Sequence, residues 1–133
     1  MPQVGIVLVS HSARLAEGAA DLAAQVSGGV VTVIAAGGTG DGGLGTSAAL
    51  IATGLRQADS GAGVLVLPDL GSAVLTVRAL LADPPDDMPS AGVVLADAPF
   101  VEGAVAATVT AAAGADLKTV ATAAEEAWHA RKL

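Results

Sequence analysis

The sequence predicts an α/β fold of three layers, with a four-stranded parallel sheet sandwiched between helices on both faces. Short apolar runs rich in β-branched residues alternate four times with segments of helical spacing. The runs do not alternate apolar with polar, which is the pattern of strands covered on both sides. Glycine or proline marks most junctions between a run and the helical segment beside it.

The first strand is Val4 to Val9, a continuous apolar run. Ser10-His11-Ser12 follows. Leu15, Ala19, Leu22, Ala23 and Val26 then recur at helical spacing until Gly28-Gly29 stops the helix. Val30 to Ala36 reads as the second strand. The glycine-rich stretch 37–45 leads into a helix from about Thr46, with Ala48, Ile51, Leu55 and Ala58 on one face. Val64 to Leu67 is the third strand, ended by Pro68-Asp69. Gly71-Ser72 opens a helix carrying Val74, Val77 and Leu81. Residues 83–89 contain Pro84, Pro85 and Pro89 and form a loop. Val93 to Ala96 is the fourth strand, and an alanine-rich helix follows to about Ala113, broken by Gly114. Asp116 caps a last helix with Leu117, Val120, Ala124 and Trp128 along it. A flavodoxin-like strand order of 2-1-3-4 with right-handed crossovers brings the ends of the first and third strands to one crevice. Open α/β sheets bind ligands there. Residues 1–133 read as a single domain without repeat or linker.

Composition narrows the function. The net charge is −7 with only six Lys and Arg, too few cations to track a nucleic-acid backbone. No basic stripe suggests a lipid surface, and no apolar run is long enough for a signal peptide or a membrane span, so a cytoplasmic protein is expected. There is no cysteine, which removes disulfides, thiolate chemistry and Cys-ligated zinc. His11 and His129 lie at opposite ends of the chain, so no metal site is expected, and His129 reads as a surface residue. No cofactor is expected either: Phe100 and Trp128 are the only aromatic residues, too few to cover a flavin ring.

His11 stands at the carboxyl end of a strand and the mouth of a helix. Helix-start amides there face an incoming anion. An imidazole so placed can accept a phosphoryl group. Asp69, at the end of the third strand, is its natural partner. A carboxylate that accepts from one ring N–H fixes the tautomer and leaves the other nitrogen as the nucleophile. On residues alone Asp69 reads equally well as a turn residue capping the third helix. Ser12 and Ser72 can donate to a phosphate, and Ser10 or Ser12 can equally cap the first helix. Arg14 reads as a solvated first-turn cation, and Thr46 reads first as an N-cap.

The glycine stretch imitates two nucleotide motifs. Gly38-Thr39-Gly40-Asp41-Gly42-Gly43 has the dinucleotide spacing, but it follows the second strand and overshoots the helix start. Gly40 to Ser47 has a P-loop outline, with Thr46 where lysine is required. Neither motif is complete, and the stretch reads as a mobile rim over the crevice. No G-x-S-x-G elbow is present for a hydrolase.

The segment Val7 to Gly18 resembles the start of the phosphotransferase subunit of bacterial dihydroxyacetone kinase. Ile34 to Gly37, Asp69 to Ala73, Ala98 to Val109 and Ala112 to Leu117 extend the likeness over nearly the whole chain. The chain thus resembles a mannose-type enzyme IIA domain of the sugar phosphotransferase system. The resemblance implies a phosphohistidine carrier. His11 takes the phosphoryl group on Nε2 from the small carrier HPr, itself charged from phosphoenolpyruvate through enzyme I. The group then passes to ADP on the ADP-binding subunit of the kinase, and the ATP formed serves the dihydroxyacetone-binding subunit. It also implies a homodimer and a catalytic pair of His11 and Asp69, with Ser12, Ser72 and Thr46 as phosphate ligands. The competing expectation is a regulator or small-anion-binding module that keeps the fold without the transfer.

Overall fold

The computed structural model describes residues 2–133. Its strands are β1 (Gly5–Ser10), β2 (Val33–Gly37), β3 (Val64–Pro68) and β4 (Val93–Leu95). Its helices are α1 (Ala13–Val26), α2 (Ala48–Ala58), α3 (Gly71–Ala82), α4 (Phe100–Ala112) and α5 (Leu117–Glu126), followed by a 3₁₀ turn at Ala127–His129. The strands form one parallel sheet in the order β2-β1-β3-β4, as the alternating pattern predicts.

Every residue of β1 is buried, because helices cover both of its faces. Ile6 and Leu8 join Leu65 and Leu67 of β3 under α1, α4 and α5. Val7 and Val9 join Val64 and Val66 under α2 and α3. This two-sided burial is why the strands read as unbroken apolar runs. Gly5 permits one close approach. A Cβ there would lie 2.0 Å from the carbonyl oxygen of Ala58, so a side chain would push the end of α2 off the sheet.

Four local expectations are corrected. The buried side of α1 is Ala16, Ala19, Ala20 and Ala23, whereas Leu15, Leu22 and Val26 stay 47%, 47% and 50% exposed. Both stripes have helical spacing. The small one lets α1 sit close to β2 and the alanine-rich α4, which extends dispersion contact along the whole helix. Strand β2 begins at Val33 rather than Val30. Gly28 and Gly29, at φ of 74° and 78°, make a left-handed exit from α1, and Val30 lies exposed on that turn. Helix α2 begins at Ala48, capped by Ser47, whose side chain accepts from the Leu50 amide, so Thr46 is not the cap. Trp128 lies beyond α5, in the 3₁₀ turn. Asp116 does cap α5, accepting from the Thr119 amide at 2.9 Å.

Candidate functional site

Parallel pairing of β1 and β3 aligns Val9 with Pro68, so the residues that follow each strand must meet. The Asp69 amide continues the ladder, donating to the Val9 carbonyl at 3.0 Å. This brings together His11, Asp69 and Ser72, and it adds a residue not singled out for this role, Ser10.

The Asp69 carboxylate accepts four donors. Oδ1 accepts from His11 Nδ1 at 2.9 Å and from the Leu70 amide at 2.7 Å. Oδ2 accepts from the Ser10 hydroxyl at 2.8 Å and from the His11 amide at 3.1 Å. A carboxylate can only accept, so Nδ1 carries the ring proton and Nε2 presents its lone pair. The Ser72 hydroxyl, in the first turn of α3, donates to that lone pair. His11 keeps 24% of its side chain exposed and Asp69 9%, so the ring opens to the crevice while the carboxylate lies behind it. Burial pushes the Asp69 carboxyl up. The donated bonds from Ser10, the His11 amide and ring, and the Leu70 amide outweigh it, and the net displacement is below the usual carboxylate value. The capping reading of Asp69 does not hold: the N-cap of α3 is Leu70, without a side-chain cap, and the carboxylate points back at His11.

The remaining candidates separate. Ser12 caps α1, accepting from the Leu15 amide at 3.3 Å, and its hydroxyl keeps a hydrogen to donate. Thr46 pairs with Thr76 of α3 at 2.7 Å, which ties the start of α2 to the helix carrying Ser72; no hydrogen bond joins it to His11. Arg14 is exposed on the first turn of α1. The glycine stretch docks on the end of β1 and its turn, where the Gly38 amide donates to the Ser10 carbonyl at 3.1 Å and the Gly45 amide to the His11 carbonyl at 2.9 Å. Gly37 seats the end of β2 against α1. A Cβ there would lie 2.5 Å from the Ser12 carbonyl oxygen.

A cleft of about 380 Å³ runs from Asp69 along α3, lined by Leu70, Arg78, Asp97 and Trp128 among others. Trp128 is fixed at its wall by donating Nε1–H to the Asp97 carbonyl at 2.9 Å. The one clue to Ser10 in the sequence is a hydroxyl closing an otherwise apolar buried run. No group of three or more acidic or histidine residues suited to a metal occurs among the described residues. Nor is any described helix long and apolar enough to cross a membrane.

An open parallel sheet with a histidine held by a carboxylate at the switch point defines the class of protein. Residues 5–121 match the family described as PTS system fructose IIA component, and the chain belongs to that family. Similar proteins include the phosphoryl donor subunit DhaM of PEP-dependent dihydroxyacetone kinase 2 from Listeria innocua, 37% identical over 106 residues, which are 80% of this chain and 84% of that protein. The corresponding DhaM subunit of Klebsiella michiganensis is 39% identical over 133 residues, 98% of this chain and 28% of that one. That of Escherichia coli is 40% identical over 120 residues, 88% and 25% of the two chains. The chain therefore spans about a quarter of the Klebsiella and Escherichia proteins and most of the Listeria one. A solved structure described as the unknown-function protein EF1359 superposes with a TM-score of 0.81 at 34% identity, covering 93% of this chain and 94% of the other.

Proposed function

We propose that the chain is the phosphoryl-donor domain of a PEP-dependent dihydroxyacetone kinase, working through a phosphohistidine at His11. The observation that carries this is the commitment of Nδ1 to Asp69, which leaves Nε2 as the nucleophile at the crevice mouth. The lone pair of Nε2 attacks the phosphorus of phospho-HPr. The new N–P bond forms as the bond to the carrier breaks, and the carrier leaves with its electron pair. The Nδ1 proton stays in place, so the ring becomes cationic and Asp69 balances it. In the second step the terminal phosphate oxygen of ADP, held on the ADP-binding subunit, attacks the same phosphorus and Nε2 leaves as a neutral imidazole. The ATP formed phosphorylates dihydroxyacetone on the third subunit. Ser72, released from Nε2, donates to a phosphoryl oxygen. Ser12 adds a hydroxyl at the amino end of α1, and Thr46 acts from the rim. The domain works in the cytoplasm as a homodimer.

Incubation with phosphoenolpyruvate, enzyme I and HPr tests the first step. One phosphate should be gained, labile in acid and stable in base, and lost in His11→Ala. Addition of the ADP-loaded subunit should discharge it as ATP. Label persisting on His11→Ala overturns the assignment, and failure to label at all favours a regulatory or anion-binding module.

A further inference from the structure

We propose that Ser10 is a positioning residue, whose buried hydroxyl holds the Asp69 carboxylate in the orientation that grips Nδ1 of His11. Ser10 is fully buried at the end of β1. Its hydroxyl has one hydrogen, and the partner it points to is a carboxylate oxygen, which can only accept. The hydroxyl oxygen in turn accepts from the Ser12 amide at 3.0 Å. A donor chain thus runs from the start of α1 through Ser10 to Oδ2 of Asp69, and each bond fixes the direction of the next.

The two carboxylate oxygens have divided tasks. Oδ1 faces the imidazole, and Oδ2 is held from behind by Ser10 and the His11 amide. The amide distance is the longer of the two, 3.1 Å against 2.8 Å, and the amide belongs to a turn. Ser10 is the anchor supplied by a strand in the middle of the sheet. Without it the carboxyl can turn about its last bond and lose the line from Oδ1 to Nδ1. It also loses a donor that favours its ionised form. The other ionisable groups around Asp69 are His11 from the turn after β1, and Arg78 on α3 and Asp97 beyond β4, which line the same cleft.

The kinetic consequence rests on the phosphohistidine reading, while the orientation of Asp69 does not. Two measurements separate them. The first is a cycle of Ser10→Ala, Asp69→Asn and the double variant in single-turnover transfer from phospho-HPr. Ser10→Ala should slow transfer by roughly tenfold, the scale of losing a hydrogen bond to a charged group. In the Asp69→Asn background the same change should add nothing. The second is the ¹³C titration of the Asp69 carboxyl by NMR, which should move upward in Ser10→Ala whether or not the protein is ever phosphorylated. Ser10→Cys, close in size but a weak donor, should repeat both results and replaces Ser10→Ala if the alanine variant does not fold. Additive losses in the cycle, or an unmoved Asp69 titration, overturn the proposal. A normal upward titration shift in a protein that takes no label retains the role of Ser10 and rejects the phosphohistidine.

Discussion

Two aspartates sit in turns at the same edge of the sheet, and each is held below the usual carboxylate value. Asp69 is held by residues from β1 and its turn, 58 and 59 positions away, together with its own neighbour Leu70. Asp41, fully exposed in the glycine stretch, is held first by the Thr39 hydroxyl and then by the Gly43 amide, both two residues away. The direction of the displacement is the same, and the information in it is not. Local donors report that a loop has folded on itself, whereas donors from across the sheet report that the fold has built a site. A shifted carboxylate points to function only where distant elements supply the cause.

The largest expected effect separates the two on activity. Asp69→Asn should slow transfer by roughly tenfold to a thousandfold, the scale of a lost acid–base partner, with the fold intact by circular dichroism. Asp41→Asn should leave the single-turnover rate unchanged. Equal losses for the two variants would break the distinction.

The glycines sharpen the same comparison on stability. At Gly37 a Cβ would meet the Ser12 carbonyl at 2.5 Å and the Ala13 Cα at 2.8 Å, both backbone atoms that cannot swing aside. Gly37→Ala should cost about 1–3 kcal/mol in denaturant unfolding, as overpacking does. It should also lower the transfer rate, because the start of α1 moves. At Gly42 a Cβ meets nothing within 4 Å, and only the φ of 90° resists it. Gly42→Ala should cost about 1–2 kcal/mol from the left-handed backbone alone, with no effect on rate.

Protonation gives a smaller contrast. The Asp69 carboxyl is depressed from its ordinary value of 3.8, so its contribution to stability is fully present above that pH. The contribution fades as pH falls through the lower folded-state value. The difference in melting temperature between the protein and Asp69→Asn should therefore hold steady from neutral pH to about pH 5 and narrow below 3.8. A difference that keeps widening below pH 3.8 would overturn the depressed Asp69 carboxyl.

The sequence brings Asp69 beside His11 because strand ends, once ordered, have only one place to meet, but it leaves the carboxylate equally free to cap α3; only the structure shows it bonded to the His11 ring and amide. It resolves Asp116 as a cap because capping is decided within one turn. It misleads on α1, where Leu15, Leu22 and Val26 have the right period but the alanine stripe permits the closer approach. Thr46 and Ser47 are adjacent hydroxyl residues, and only the path of the chain selects the second as the cap. Ser10 stays hidden for a related reason. A serine at a strand end has many partners available, and the one it takes lies 59 residues away.

The smallest effect concerns what phosphate does to the molecule. Phosphorylation of His11 puts a phosphoryl group of close to two negative charges on a ring that turns cationic, so a chain already at −7 gains about one net negative charge. The amino end of α1 has no acidic residue in its first turn, so no first-turn carboxylate offsets what its dipole offers an anion beside it. Each such interaction at an exposed site is worth about 0.3–1 kcal/mol. The Ser72 hydroxyl exchanges one acceptor for another, so it adds little net stabilisation. The rise in melting temperature should accordingly be small, as suits a group that must be passed on. Amide NMR shifts should be largest at residues 10–14 and 69–73. They should reach Gly45, whose amide is bonded to the His11 carbonyl, and fade before Asp41, whose bonds close within the loop. Shifts centred on residues 39–43 would place the phosphate pocket under the glycine stretch, and the contrast between the two aspartates would then reverse.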